Sequence, residues 1–511
     1  MTISYPNHNL NTVADISDDK SFGPTMTSMQ PQIYNLFREN VDQLLIIVSD
    51  FHIGEGFIQQ KRLFSRNENF FYDDAFYGFI KYLNRLRLEK HKPVTLILNG
   101  DFLDFIRIRS LPGDREHKLI RRYLIKLGHE IRDGESIYDE QESNFGLNSH
   151  ELKSVWKLQK IAEGHPEVFQ ALAEFVVAGN QLIVIKGNHD LEFYWPRVQK
   201  EFRKILARKL PSVNGSYRHA VERMDFIEKN VVFVQNAVIV DHTIYIEHGH
   251  QYMPITRVEG EPERDGELSL PPGSILNRYL INAIESIIPF VNNIRPASEI
   301  FRTLNLKQKF QVLRIIFRHL PTTSKIMYRH YRRDGLVLLL EILPYLFTAA
   351  YVILGFFLPM LWPDYADLYY SLTGKVGRYL VSHWFAHLLL IVASFYGTRW
   401  LFRFFGRTHH FDLKAALQTA REATRSAPVS RPKFLVIGHT HKPEIRKLDD
   451  TWWYLNPGTW IPILDRKEFY LHEKLTMSYI HFEKNERGEW DFELMQWNDA
   501  RGRGQRLILL D

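Results

Sequence analysis

At 511 residues, of which 45% are hydrophobic, the chain exceeds one ordinary domain and has ample apolar content for a buried core. It contains no cysteine, so disulfides and thiolate metal sites are excluded, which fits a reducing compartment. The net charge of +6 is modest for this length, but Arg and Lys gather in parts of the second half, which points to an anionic surface or substrate there.

Residues 1–35 read as a disordered tail. Residues 1–30 are polar and lack the apolar stretch of a signal peptide. From Leu44 the run Leu-Leu-Ile-Ile-Val-Ser-Asp-Phe-His52 reads as a buried strand that ends in Asp50 and His52. Two residues apart on an extended backbone, these side chains can point the same way. The run from Val94 ends in Gly100, Asp101 and Asp104, with the glycine allowing a sharp turn. A third, from Leu182, ends in Asn188, His189 and Asp190, and a fourth, from Thr243, ends in His248-Gly-His250. The fifth, Phe434-Leu-Val-Ile, ends in Gly438-His-Thr-His441.

Each ending has an ordinary explanation when taken alone. Asp50 and Asp101 could be helix N-caps, His248 a satisfied core histidine, and His439 and His441 part of a histidine-rich surface loop. Coincidence explains five successive strands with metal-competent ends poorly. Neutral imidazole is the commonest nitrogen ligand, and two histidines on one turn can serve one ion or two neighbouring ions.

Between the strands, apolar residues at three- and four-residue spacing predict helices over Asp74–Arg87 and Leu152–Phe175, hence an α/β core with helices covering a sheet. The charged interval Ile106–Asn148 is expected to be a flap. His117, His129, His150 and His165 are expected to be surface or capping residues. Downstream, Trp452–Gly458 predicts a strand and turn, and Met477–Leu494 the closing strands of a second sheet. The sequence has no Gly-rich nucleotide loop, zinc-ribbon spacing, internal repeat or nucleic-acid motif, and carries no signal for oligomeric state.

The order Asp50-x-His52, Gly100-Asp101-x-x-Asp104, Gly187-Asn-His-Asp190, His248-Gly249 and Gly438-His-Thr-His441 resembles the calcineurin-like metallophosphoesterase family, over about residues 40–255 and 430–485. The resemblance implies an α/β (α+β) fold, a four-layer αββα sandwich of two mixed sheets with two metal ions at the sheet ends. By position it implies that Asp50, His52 and His441 hold one ion, that Asn188, His248 and His439 hold the other, and that Asp101 bridges them. Within the family the chain looks most like the UDP-2,3-diacylglucosamine diphosphatases, although His250 stands where those enzymes commonly carry an acidic residue. Seven ligands without a thiolate suit two divalent ions, manganese first, with iron or zinc as alternatives. A shared carboxylate would set them ~3.5–4 Å apart. His189 is assigned to the leaving group as proton donor or electrostatic clamp, with Asp104 orienting it.

The segment between His248 and Gly438 exceeds what such a core needs. Ile342–Leu361 and Val381–Thr398 carry no Asp, Glu, Lys or Arg, and the first would be ~30 Å long as a helix, the thickness of a hydrocarbon core. They are expected to form a transmembrane hairpin, with buried core helices as the alternative and Pro344 and Pro359 kinking either version. Arg329, Arg332 and Arg333 before it, and Arg399, Arg403 and Arg407 after it, place both ends on the cytoplasmic side. Ile275–Phe317 reads as amphipathic helices that fit either an anionic membrane surface or the core.

The domain division is therefore a tail at 1–35, a core at 36–260, a helical insertion at 261–335, a membrane hairpin at 336–402 and a closing core segment at 430–511. The expected function is two-metal hydrolysis of a phosphate ester or diphosphate, of a lipid-linked or nucleotide-lipid substrate, at the cytoplasmic face of a membrane. Alternatives are a tethered phosphodiesterase or phosphatase acting on a soluble or protein substrate, and a non-catalytic metal-stabilised scaffold. The intact ligand set argues against the scaffold.

Overall fold

The aliphatic run Leu44–Val48 (β1) alternates faces as a strand must: Leu44, Ile46 and Val48 enter one apolar core, while Leu45 and Ile47 enter another. Burial on both sides explains why the run is apolar throughout. The structure is a computed structural model. It describes residues 33–36, 42–330 and 411–509, apart from residues 60, 127–129, 132–135, 211–216, 259–261, 265, 296–303, 426–431 and 468–469, together with residues 365–368, 371, 372 and 374.

β1 lies parallel to Val94–Asn99 (β2), which pairs in parallel with Gln181–Ile185 (β3), followed by Val231–Val234. The second sheet has the order Ile33–Leu36, Ala237–Val240, Ile244–Glu247 (β4), Lys433–Ile437 (β5), Trp452–Asn456 and Glu444–Lys447. The two sheets face each other across a core containing Ile47, Ile97, Ile183, Ile246 and Phe434. On the outer face of the first sheet pack helices Asp73–Lys90, Glu151–Gly164, Pro166–Val177 and Pro196–Lys209. Helix Leu413–Ala423 covers the second sheet through Ala416 and Ala420. The layering is helix, sheet, sheet, helix, as expected of an αββα sandwich.

Several expectations need correction. Ile33–Leu36 is a strand rather than tail, because Leu36 is buried and the segment pairs with Ala237–Val240. Residues 1–32 lie outside the described residues. The strands Ser478–Lys484 and Trp490–Asn498 close the first sheet, not the second, since Ile480–Phe482 pairs antiparallel with β1. Leu152–Phe175 is two helices that break at His165, where Pro166, lacking an N–H, opens the second at its first position. The interval expected as a flap contains helices Asp114–Lys126 and Glu140–Phe145, and Ile120, Tyr123 and Leu124 are buried in the main core.

The residues from Pro272 to Glu285, read as part of the insertion, pack on the core. Asn282 Nδ2 donates to Ile106 O at 3.0 Å, and Asn67 Nδ2 donates to Asn282 O at 3.0 Å. Among the described residues no helix is long and apolar enough to cross a membrane. Ile342–Leu361 and Val381–Thr398 lie outside the described residues.

His165 is a capping residue, standing at the end of one helix and the start of the next, but not a surface one. It is fully buried between Glu68, 3.3 Å from its Nε2, and Asp73, 2.9 Å from its Nδ1. Glu68 in turn accepts the backbone N–H groups of Gly54, Gly56, Asn69 and Phe70, and so ties down the loop that follows His52. Burial opposes charge on His165, yet the Glu68 and Asp73 carboxylates raise it from 6.5 to about 10. The folded pKa exceeds the unfolded one, so the stabilisation is fully present below about pH 6.5 and is lost as pH rises through 10. The melting-temperature gap between wild type and His165→Gln is therefore expected to be widest near pH 6 and to close toward pH 10. A gap constant across that range would contradict the buried ion pair. His150 accepts from Leu152 N as a helix cap, His117 accepts from Ile137 N, and His129 lies outside the described residues.

Candidate metal centre

Register brings the motif ends together. Val48 is level with Leu98 and Asn99 with Ile185, while Glu247 is level with Ile437. Asp50, Asp101 and Asn188 therefore leave one sheet edge as His248 and His439 leave the other. The turns that follow are unusual: Asp50, His52, Asp101, His439 and His441 all adopt positive φ, between 50° and 65°. Such backbone is costly for non-glycine residues and concentrates at functional sites. The turns also hold one another. Phe51 N and His52 N both donate to Asp101 O, at 3.0 and 2.9 Å, and Thr459 Oγ1 donates to Asp50 O at 2.6 Å.

Glycine is required where the two sheet edges touch. A Cβ on Gly438 would lie 2.0 Å from Ser49 Oγ, and one on Gly100, at φ +77°, would lie 2.4 Å from His248 Cγ.

Around Asp50, His441 Nε2 lies 3.3 Å from Oδ1, and His52 Nε2 lies 3.1 Å from His441 Nε2. The other oxygen, Oδ2, accepts the N–H of His439 at 2.9 Å. Asp101 Oδ2 stands 3.2 Å from His248 Nε2 and 3.8 Å from His52 Nε2, while its Oδ1 accepts His189 N at 2.8 Å. One carboxylate oxygen thus faces both halves of the cluster. Ligand atoms of Asp50, His52 and His441 fall within 4.8 Å of one another, as do those of Asp101, His248 and His439, and those of His52, Asp101 and His189.

The donor atoms fit cations rather than one another. Asp50 Oδ1, Asn188 Oδ1, His248 Nε2 and His439 Nδ1 are buried and have no hydrogen-bond partner, a costly arrangement unless something else satisfies them. His248 Nδ1 lies 2.9 Å from Asn99 O, so it donates there and the Nε2 lone pair is left to face Asp101. Burial, with His189 beside one and His248 beside the other, lowers His52 to about 4 and His439 to about 3, which keeps both imidazoles neutral as ligation requires. Burial would lower His248 as well, but Asp101 raises it to about 10. That anionic charge calls for a proton or a metal cation at the same place.

His189 stands slightly apart. Its Nδ1 lies 2.8 Å from Asp104 Oδ2, and Asp104 with Asp101 raises it to about 9 against the opposing effect of burial. Burial would raise Asp104, but His189, His52 and Arg107 together hold it well below the usual carboxylate range. Asp104 thus orients His189 through Nδ1 and leaves its Nε2 free of that carboxylate.

Sequence reading did not find the supports. Arg107 Nε donates to Asp104 Oδ2 at 2.9 Å, and its NH1 donates to Glu285 Oε2 at 2.6 Å and to Asn67 O at 2.9 Å. Asp190, quoted without a role, accepts Gly187 N at 2.6 Å and Phe102 N at 3.0 Å, and so clamps the Asn188 turn to the Asp101 turn. Asn456 Nδ2 donates to Gly438 O and Thr440 Oγ1, both at 3.0 Å, fixing the last histidine turn. Thr256 Oγ1 sits 3.1 Å from His439 Nε2, so His439 is oriented with Nδ1 toward the site.

Two mixed sheets with carboxylates and imidazoles grouped at their ends are an arrangement that could hold divalent metal. Residues 44–282 match the Calcineurin-like phosphoesterase family, so the chain carries a calcineurin-like phosphoesterase domain, in a family of metal-dependent phosphoric ester hydrolases. The matched stretch ends before β5, and the fold returns His439 and His441 to it from beyond the insertion. No curated protein and no solved structure matches the chain.

Proposed function

We propose that the chain is a two-metal phosphoesterase that hydrolyses a phosphate ester or diphosphate, with a lipid-linked substrate met at the cytoplasmic face of a membrane. The observation that carries the hydrolytic reading is the grouping of the buried, unpartnered nitrogens of His248 and His439 with Asp101, beside the group of Asp50, His52 and His441. Asp50, His52 and His441 would hold one divalent ion and Asn188, His248 and His439 the other, with Asp101 shared and manganese the first candidate for this oxygen- and nitrogen-rich set. Bound there, such a pair supplies positive charge to phosphate oxygens and a water of lowered pKa as nucleophile.

The remaining steps belong to the chain. Asp104 holds His189 protonated through Nδ1, which leaves Nε2–H to donate to the departing oxygen. Arg107 fixes Asp104, so the imidazole keeps its aim while bond order to the leaving group falls. Lipid linkage is supported by the two long uncharged segments beside the domain, with arginines flanking them, and by the motif likeness to diphosphatases of nucleotide-linked lipids.

A general acid matters most when the leaving group is poor. His189→Ala is expected to cut hydrolysis of alkyl phosphodiesters about 10²–10⁴-fold and to affect p-nitrophenyl esters much less. An equal loss on both would remove His189 from the leaving-group role. Assays of bis-p-nitrophenyl phosphate, p-nitrophenyl phosphate and a nucleotide-diphospholipid in mixed micelles, with manganese, test the substrate class. A preference for the micellar lipid is expected, and activity confined to the soluble esters would overturn the lipid reading.

A further inference from the structure

Helix Leu306–His330 carries Lys307, Lys309, Arg314, Arg318, Lys325 and Arg329 and not one Asp or Glu. Its two faces have different partners. Val312 is buried against Leu280, Ile284 and Val291, and Ile326 against Phe145, Ile275 and Tyr279, so one side is fixed to the segment that packs on the catalytic domain. The opposite side exposes Lys307, Phe310, Arg314, Phe317, Arg318, Pro321 and Lys325. Spacings of three and four residues put these on one stripe. Phe310 is 66% exposed and Phe317 59% exposed, among the largest exposures of any bulky apolar side chain described.

An outward stripe of phenylalanines alternating with cations is poorly explained as a solvated face, which would carry acids and bases together without aromatic rings. It is also poorly explained as core, since the core side of this helix is already occupied. Rings that enter the headgroup boundary while flanking Lys and Arg meet phosphates are the pattern of a helix lying in a membrane interface. With only positive charge on the helix, the complementary surface is anionic.

We infer that the outer face of helix Leu306–His330 seats the catalytic domain on an anionic lipid bilayer, with Phe310 and Phe317 entering the headgroup layer. The same helix rests on the segment that supplies Glu285 to Arg107, so the bilayer contact and the active site share one support. The inference stands independently of the phosphoesterase reading.

The chain has no native cysteine, which permits a direct test. Full-length protein carrying Phe310→Cys, Phe317→Cys or, as a control on a distant exposed turn, Glu486→Cys would be labelled with an environment-sensitive nitrobenzoxadiazole probe. Each would be mixed with, or reconstituted into, phosphatidylcholine vesicles with and without phosphatidylglycerol. The probes at 310 and 317 are expected to brighten severalfold and shift to the blue with the anionic vesicles only, reversibly in high salt, and the probe at 486 to stay unchanged. Arg314→Glu with Arg318→Glu should abolish the response. Probes that remain in water, respond equally to neutral vesicles, or are already shielded without lipid, as by a protein partner, would overturn the inference. Hydrolysis of bis-p-nitrophenyl phosphate by the charge-reversed protein is expected to match wild type, which keeps a failure here separate from a failure of the proposed activity.

Discussion

Asp101→Asn is expected to lower metal-dependent phosphodiesterase activity by about 10³-fold or more, the scale lost when a principal electrostatic element of a transition-state site is removed. Its Oδ2 faces His248 at 3.2 Å on one side and His52 at 3.8 Å on the other. Asparagine is isosteric and can keep the 2.8 Å bond from His189 N through its carbonyl oxygen, so the turn should retain its shape. The expected result is a folded protein, by circular dichroism and thermal melting, that retains fewer than two ions per chain. A variant that binds two ions and turns over normally would remove Asp101 from the bridging position.

The second large effect falls on Glu285, far from the motifs in sequence. Arg107 and Glu285 are 2% and 1% exposed, and the guanidinium is held by Asp104, Glu285 and the carbonyl of Asn67. Glu285→Ala leaves a buried cation with part of its partners gone, for which a loss of about 3–5 kcal/mol is expected in chemical denaturation. Glu285→Gln keeps the shape but not the charge, and is expected to lower turnover about 10–100-fold through loss of the aim of Asp104 and His189, the usual scale for supporting residues around a metal site. Replacing both members, as Arg107→Met with Glu285→Leu, should recover stability without recovering activity. Joint recovery of both would mean that the pair has no part in positioning Asp104.

Much of this site was legible in the sequence because its logic is local. An apolar run that stops at a carboxylate or an imidazole identifies both a strand and the end that carries chemistry, and register then gathers Asp50, Asp101, Asn188, His248, His439 and His441. What escaped notice depends on distant pairings. Nothing near His165 announces that Glu68 and Asp73 will enclose it, and within a helical run it reads as a capping or surface histidine. Arg107 lies in a charged interval, and its partner Glu285 sits in a segment whose buried side also includes Asn277, Arg278 and Asn282, so apolar periodicity misreads that side as exposed. The π-helical turn Asn277–Ile281 shifts the facing further, out of step with the 3.6-residue repeat. Ile33–Leu36 is four residues long and owes its strand to the neighbour at Ala237–Val240, which no local pattern reveals. The family match reaches residue 282 and so includes Asn277, Arg278 and Asn282 but stops short of Glu285, whereas the motifs alone end the first core segment near residue 255.

The central claim, two ions shared through Asp101 and required for phosphoester hydrolysis, is tested most directly by titrating manganese into chelator-stripped protein while metal content and bis-p-nitrophenyl phosphate hydrolysis are measured on the same samples. The account predicts no activity without metal, full activity at two ions per chain, and loss of the second ion in His248→Ala. Undiminished hydrolysis by the metal-free protein, or saturation at a single ion, would contradict it.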